Sequence, residues 1–304
     1  MEVGLAFGGL AVGFIVGLTG MGGGALMTPM LVFFFGVSPL AAVSSDLVTS
    51  AIMKPFGGAV HIHRGTVNRV LVGWLALGSV PSAFVGVLVL RGLGESAAIE
   101  DVVTTALGVT LVVAAFALIA KAYVSMSRWV RARAEGAGEP AVGMQDPLHV
   151  VVRPLPTVLT GVLGGLVVGM TSVGSGSLMI IALMLLYPRL QASQLVGTDL
   201  VQAVPLVAAA ALGHLLFGDF RLGVTVALLV GSIPGVILGA LASSRAPGGL
   251  IRRALALVLL ASGLKLLGVS TSVTVVVLVA CVVLGPVAWM GARRRNGLPA
   301  MRRQ

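Results

Sequence analysis

The chain is a series of long uncharged runs separated by short polar breaks, and the lengths of those runs carry the first message. Apolar residues dominate positions 3–19, 24–36, 44–60, 69–90, 102–123, 158–171, 176–187, 196–217, 222–242, 250–267 and 273–290. Several of these contain about 18 or more nearly uncharged residues, the length a helix needs to cross about 30 Å of hydrocarbon. Others, such as 24–36 and 176–187, are long enough only for half-spans. The pattern predicts an all-α polytopic membrane protein of helices and half-helices, with roughly 8–11 membrane segments. Between the fifth and sixth runs lies a polar stretch, 125–153, that reads as a cytoplasmic linker.

The runs repeat. At a shift of 152 residues, Gly9, Gly13, Gly17, Gly22 and Gly24 fall on Gly161, Gly165, Gly169, Gly174 and Gly176, and Thr19, Leu26 and Met27 fall on Thr171, Leu178 and Met179. After a one-residue slip, a shift of 153 lays Asp46-Leu47-Val48 on Asp199-Leu200-Val201 and His61 on His214. It also lays Gly78-Ser79, Pro81 and Gly86 on Gly231-Ser232, Pro234 and Gly239. Glycine is abundant here, but aspartate and histidine are rare, and their recurrence points to two homologous halves. The expected organisation is a first transmembrane repeat over 1–124, a cytoplasmic linker over 125–156, a second repeat over 157–268, and an extra helix with a basic tail over 269–304.

Charge sets the orientation. If each glycine-interrupted run makes two passes, the first half crosses an odd number of times and the second half is inverted. The loop carrying His61, His63, Arg64 and Arg69 then lies inside, as do Arg245, Arg252, Arg253 and the terminal cluster Arg293, Arg294 and Arg295. Glu95, Glu100 and Asp101 lie outside, with the N-terminus outside the cytoplasmic membrane and the C-terminus in the cytoplasm. Composition agrees with a membrane location: 57% of residues are hydrophobic, 10% are charged, and the mean hydropathy is +1.07. The formal charge of +10 raises nucleic acid as a partner, but the excess is arginine between and after apolar runs, with no aromatic-plus-basic motif beside it. The expected partners are the lipid bilayer and a small anion, with homo-oligomerisation compatible with the sequence. The single Cys281 excludes an intrachain disulfide.

The stripes Gly9-x3-Gly13-x3-Gly17 and Gly161-x3-Gly165-x3-Gly169 let helix backbones approach closely. Packing does not account for Gly22, Gly23 and Gly24 in a row, because each glycine costs a helix interior about 0.8–1.0 kcal/mol relative to alanine. The chain is expected to unwind there, and unwound backbone at membrane depth is tolerated only inside protein or along a wet cavity. Paired breaks at corresponding points of two repeats point to a transporter site. Helices restarting near Ala25 and Ser177 would aim free N–H groups at an anion. The candidate substrate residues are Thr19, Gly20, Gly22, Gly23 and Gly24 in the first half, and Thr171, Ser172, Gly174, Ser175, Gly176 and Ser177 in the second. The stretch Gly20 to Ala25 also fits a dinucleotide fingerprint, but no soluble strand-turn-helix surrounds it.

Asp46 and Asp199 recur in both halves. Their contexts, "SSDL" and "GTDL", read first as helix N-caps and second as coupling or gating carboxylates facing a pathway. Lys54, two helical turns beyond Asp46, either supplies positive charge to an anion or to Asp46, or snorkels to the interface. His61, His63 and His214 are expected at interfaces or in loops, since His-x-His alone is a weak metal signal. No cofactor is implied and no ATP-binding motif is present, so an ion or anion gradient would drive transport. The rival readings, a membrane-embedded enzyme or a receptor, find no catalytic triad or zinc motif in their favour.

Taken together, "GLTGMGGGALMTPML" at 17–31, "AAVSSDL" at 41–47, "HRGTVNRVLVGWLALGSVPSAFVG" at 63–86, and the second copies "GMTSVGSGSLM" at 169–179, "QLVGTDL" at 194–200 and "GSIPGVILGA" at 231–240 resemble the sulfite exporter TauE/SafE family of membrane permeases. The resemblance implies two repeated bundles that move small anions, often sulfite or organosulfur compounds such as sulfoacetate, across the cytoplasmic membrane. The second copy departs from the first: Ser172 and Ser175 stand where the first half has Gly20 and Gly23, and Pro29 has no proline counterpart near Ile181. Serines make that half-site more polar, and the two halves need not act alike.

Overall fold

A computed structural model describes residues 2–19, 23–92, 96–134, 151–188, 190, 192–217, 220–242 and 248–295. Among these it contains eleven helices: α1 Glu2–Thr19, α2 Gly24–Phe35, α3 Pro39–His63, α4 Arg69–Gly92, α5 Ser96–Ala134, α6 Pro154–Thr171, α7 Leu178–Leu186, α8 Ala192–Phe217, α9 Leu222–Ala242, α10 Gly248–Leu266 and α11 Thr271–Arg295. The described stretches Glu2–Thr19, Arg69–Gly92, Ala98–Ala120, Pro154–Thr171, Gln194–Phe217 and Leu222–Gly239 are each long and apolar enough to cross a bilayer. Phe34, Leu77, Phe116, Leu163 and Leu241 stand exposed on the outside. In water such a surface would aggregate; in a bilayer it faces lipid.

Helix starts and stops follow local chemistry. Gly36 ends α2 in the left-handed conformation at φ 62°, returning its N–H to the Leu31 carbonyl. Pro39 then opens α3, five residues before the apolar run that marked it. Asn68 starts α4 by accepting the Leu71 N–H on its side chain at 3.0 Å. Helix α5 runs on to Ala134, through the first part of the stretch read as linker.

The largest helix–helix contacts form a set that exchange of the two halves preserves. The most extensive pairs are α1 with α9 and α4 with α6, followed by α3 with α8, α4 with α8, α5 with α10, and α3 with α9. Exchanging α1 to α5 for α6 to α10 maps this set onto itself, and α11, which has no counterpart, packs on α10. The agreement extends to single residues. Gly9 abuts Leu228 and Gly13 abuts Ser232, just as Gly161 abuts Leu75 and Gly165 abuts Ser79. A Cβ at any of these glycines would overlap the facing main chain, so the stripes are the seams joining one half to the other.

The seams also show direction. Along α9, Gly231, Gly235 and Gly239 meet Ala6, Leu10 and Phe14 in turn, so α1 and α9 are parallel. The two counterpart pairs that pack on each other, α3 with α8 and α5 with α10, instead run antiparallel. Ser44 bonds His214, Gly58 faces Val201 and Val204, and His61 faces Gly197, so α3 ascends as α8 descends. Helices α5 and α10 oppose each other in the same sense, with Gly108 facing Leu267 and Val112 facing Gly263.

Candidate functional site

The antiparallel pair α3 and α8 carries nearly half of the buried polar side chains of the described residues, including Asp46, Lys54 and Asp199. Helix α3 buries Ser44, Ser45, Asp46, Thr49, Ser50 and Lys54, and α8 buries Gln194, Thr198, Asp199, Gln202 and His214. Asp46 is 0% exposed, Asp199 1% and Lys54 3%. Charges so deeply buried cost several kcal/mol each unless partners surround them. Neither aspartate is a helix cap: Asp46 lies two turns inside α3 and Asp199 two turns inside α8. The N-cap expectation is therefore corrected, because both helices begin well upstream of the polar triplets that looked like starts.

The two breaks meet beside these charges. Helix α2 folds back along α1, placing Phe35 against Gly4 and Met30 against Gly8. This turn brings Gly23, at the amino end of α2, against Asp46, Ser50 and Met53. Gly24 lies so close to the Ser172 main chain that no side chain would fit between them. Ser172 ends α6 in the left-handed conformation at φ 58°, uncommon for a residue with a Cβ. The chain then passes through Gly174 at φ 131° and Gly176 at φ 92°, where glycine is required, before α7 restarts at Leu178. The expected restart points, near Ala25 and Ser177, are each within one residue of the observed ones.

Hydroxyls and charges interlock across the breaks. The Lys54 ammonium donates to Ser175 Oγ at 2.7 Å, which brings two expected site residues together across 121 positions of sequence. Lys54 therefore does not snorkel. It lies in electrostatic reach of both carboxylates, Asp199 and Asp46. Thr28 Oγ1 stands 3.3 Å from Asp46 Oδ2 and 2.8 Å from Ser172 Oγ, and Ser50 Oγ stands 3.3 Å from Asp46 Oδ1. The Ser172 hydroxyl also reaches Asp46. Ser177 Oγ is buried with no hydrogen-bond partner beside the amino end of α7.

Other expected residues are engaged locally. Thr19 Oγ1 donates to the Ile15 carbonyl at 2.7 Å, and Thr171 Oγ1 lies 2.7 Å from the Val167 carbonyl, each hydroxyl turned back along its own helix. Gly20 and Gly22 lie outside the described residues. His61 and His63 occupy the carboxyl end of α3, but His214 overturns the interfacial expectation. It is fully buried, with Nε2 2.8 Å from the Gly169 carbonyl and Nδ1 2.8 Å from Ser44 Oγ. Since a carbonyl only accepts, Nε2 carries the proton and ties the end of α6 to α3.

Thr28 and Ser50 are the site residues that sequence reasoning missed. Ser50 was reachable, because Asp46, Ser50 and Lys54 fall at i, i+4 and i+8 on one helix face. Thr28 carried no signal, as its repeat position is Ile180.

Comparison with known proteins gives the same direction. A family described as Sulfite exporter TauE/SafE matches residues 5–266. The chain is 39% identical over 273 residues to the "Probable membrane transporter protein YjnA" of Bacillus subtilis (strain 168), a match covering 88% of this chain and 100% of that protein. No solved structure matches.

Proposed function

The chain belongs to the sulfite exporter TauE/SafE family, and from that premise we propose that it is a secondary transporter of small anions in the cytoplasmic membrane. The observation that carries the proposal is the meeting of both helix breaks around one buried cation, with Gly24 against Ser172 and Lys54 bonded to Ser175. An oxyanion such as sulfite or an organic sulfonate suits this setting. Lys54 supplies charge, Ser175 and Ser177 supply hydroxyl donors, and α7 turns the positive end of its dipole toward them. The antiparallel pairing of counterpart helices supports repeats of opposite orientation, one over 1–124 and the other over 157–268, that rock against each other in alternating access. On the charge pattern, the N-terminus is external and the C-terminus cytoplasmic. Asp46 and Asp199 are the groups that take up a coupling cation, a proton in the simplest case.

The test is flux in proteoliposomes loaded with sulfite, sulfonates, sulfate or simple carboxylates, with and without a pH gradient. At least one of these anions is expected to move. Lys54→Gln should lower its flux by about tenfold or more, the order of one lost charged hydrogen bond, while the protein stays folded. Absence of flux with every anion, or a folded Lys54→Gln variant as active as the native protein, would overturn the proposal.

A further inference from the structure

Of the two repeat-related aspartates, Asp46 has surroundings that point to a ligand. Both lie in electrostatic reach of Lys54. Asp46 has hydroxyls: Thr28, Ser50 and Ser172 all stand around its carboxylate. None of the three is repeated at the corresponding positions of the other half, which hold Ile180, Ala203 and Gly20, and the counterpart of Lys54 is Val207. The hydroxyl cluster around Asp46 is thus written into one half of the sequence alone.

The spacing of the cluster is informative. Hydroxyls that simply solvate a carboxylate close to about 2.5–2.7 Å. Thr28 and Ser50 stand at 3.3 Å from its two oxygens, while Thr28 and Ser172 lie 2.8 Å apart. Oxygens each about 2.4 Å from a common ion, as around Ca²⁺, are about 3.4 Å apart along the edge of an octahedron. Sodium has nearly the same radius as calcium; potassium is larger and needs wider edges. All the donors are hard oxygens, which suit an alkali or alkaline-earth ion. Charge then selects between these. The buried Asp46, Asp199 and Lys54 sum to one negative charge, which one monovalent ion neutralises and a divalent ion overshoots. Of the other buried ionisable groups among the described residues, His214 is bonded to Ser44 and Gly169 and Tyr187 to Arg153 and Thr157, rather than to the carboxylates. Ser172 also lies at the carboxyl end of α6, where the helix dipole is negative. The opposing influence is the amino end of α2 at Gly23, and it faces the Oδ1 side.

We propose that Asp46, Thr28, Ser50 and Ser172 form a sodium-binding site, and that the sodium ion bound there couples to anion movement through the neighbouring Lys54 and Ser175. The coupling role rests on the transport reading above; the binding itself does not.

The test uses the full chain, in detergent and in proteoliposomes, at constant ionic strength with Na⁺, K⁺ or choline. Na⁺ should raise the thermal midpoint and ²²Na⁺ should bind saturably, with K⁺ and choline ineffective. Thr28→Val, which keeps the shape and removes the hydroxyl, should raise the half-saturating Na⁺ concentration by about tenfold. Ser50→Ala should act in the same direction and decides the matter if Thr28→Val does not fold. Ser45→Ala, at a buried hydroxyl without a hydrogen-bond partner, should leave the half-saturating concentration unchanged. No saturable ²²Na⁺ binding to the native protein, or binding unaltered by Thr28→Val and Ser50→Ala, overturns the site. Anion flux undiminished in choline removes the coupling role and leaves the transporter. Sodium binding without flux of any anion removes the transporter and leaves the site.

Discussion

At the scale of single residues, the site depends on close approach as much as on charge. Gly24 sits against the Ser172 main chain with no room for a side chain. Gly24→Ala should therefore push the two breaks apart, costing about 1–3 kcal/mol as overpacking does and lowering anion flux. Gly73→Ala, at a position with nothing within 4 Å, should change stability by no more than about 0.5–1 kcal/mol. Thermal midpoints of the two variants in detergent check this, and equal midpoints would refute a tight contact at Gly24. Gly24 and Ser172 were legible because each occupies a corresponding position in a repeated motif. Lys54 was legible as a lone charge in an apolar run. Thr28 was not, because a hydroxyl on an apolar helix has no sequence partner until the fold supplies Asp46 and Ser172.

For whole elements, hydropathy located the helices but misjudged their ends, and the reason is physical. Polarity marks where hydrocarbon stops, whereas a helix stops only where its backbone is capped or broken. Helix α5 therefore continues to Ala134 through a charged stretch, and α3 starts at Pro39, upstream of its apolar run. Asp46 and Asp199 looked like caps for the same reason: a polar triplet ahead of an apolar run mimics a helix start, yet here it is the polar face of a helix already under way. The bond from His214 to the Gly169 carbonyl ties α8 to the end of α6, and Ser44 extends the tie to α3. His214→Ala should destabilise the fold by about 1–3 kcal/mol by leaving buried groups unpaired. In a double-mutant cycle with Ser44→Ala the effects should fall short of additivity by about 0.5 kcal/mol or more. Additive effects would show that the two residues do not act as one connection.

For the whole molecule, counterpart helices oppose each other while each half's glycine stripe lies on a helix from the other half. The shifts of 152 and 153 residues read in the sequence also relate the contacts Gly9 to Leu228 and Gly161 to Leu75. Which helices formed the seams was not legible, since a small-residue stripe does not identify its partner. Opposite orientation in the membrane predicts the outcome of labelling in a background where the exposed Cys281 is replaced by serine. Asp101→Cys, near the start of α5, should react with an impermeant reagent from outside, and Arg253→Cys, equally far into α10, only from the cytoplasmic side. Reaction of both from one side would reject the arrangement. The seams have a further consequence for the ten repeat-related helices. Helices α1 and α6 bury their glycine stripes against the opposite half, so neither half completes its packing alone. The peptide continuity between them therefore contributes local concentration and a fixed one-to-one ratio, while the shape comes from interdigitation. A half-length chain bearing a single copy would remain open along its stripe until it met another copy lying the opposite way.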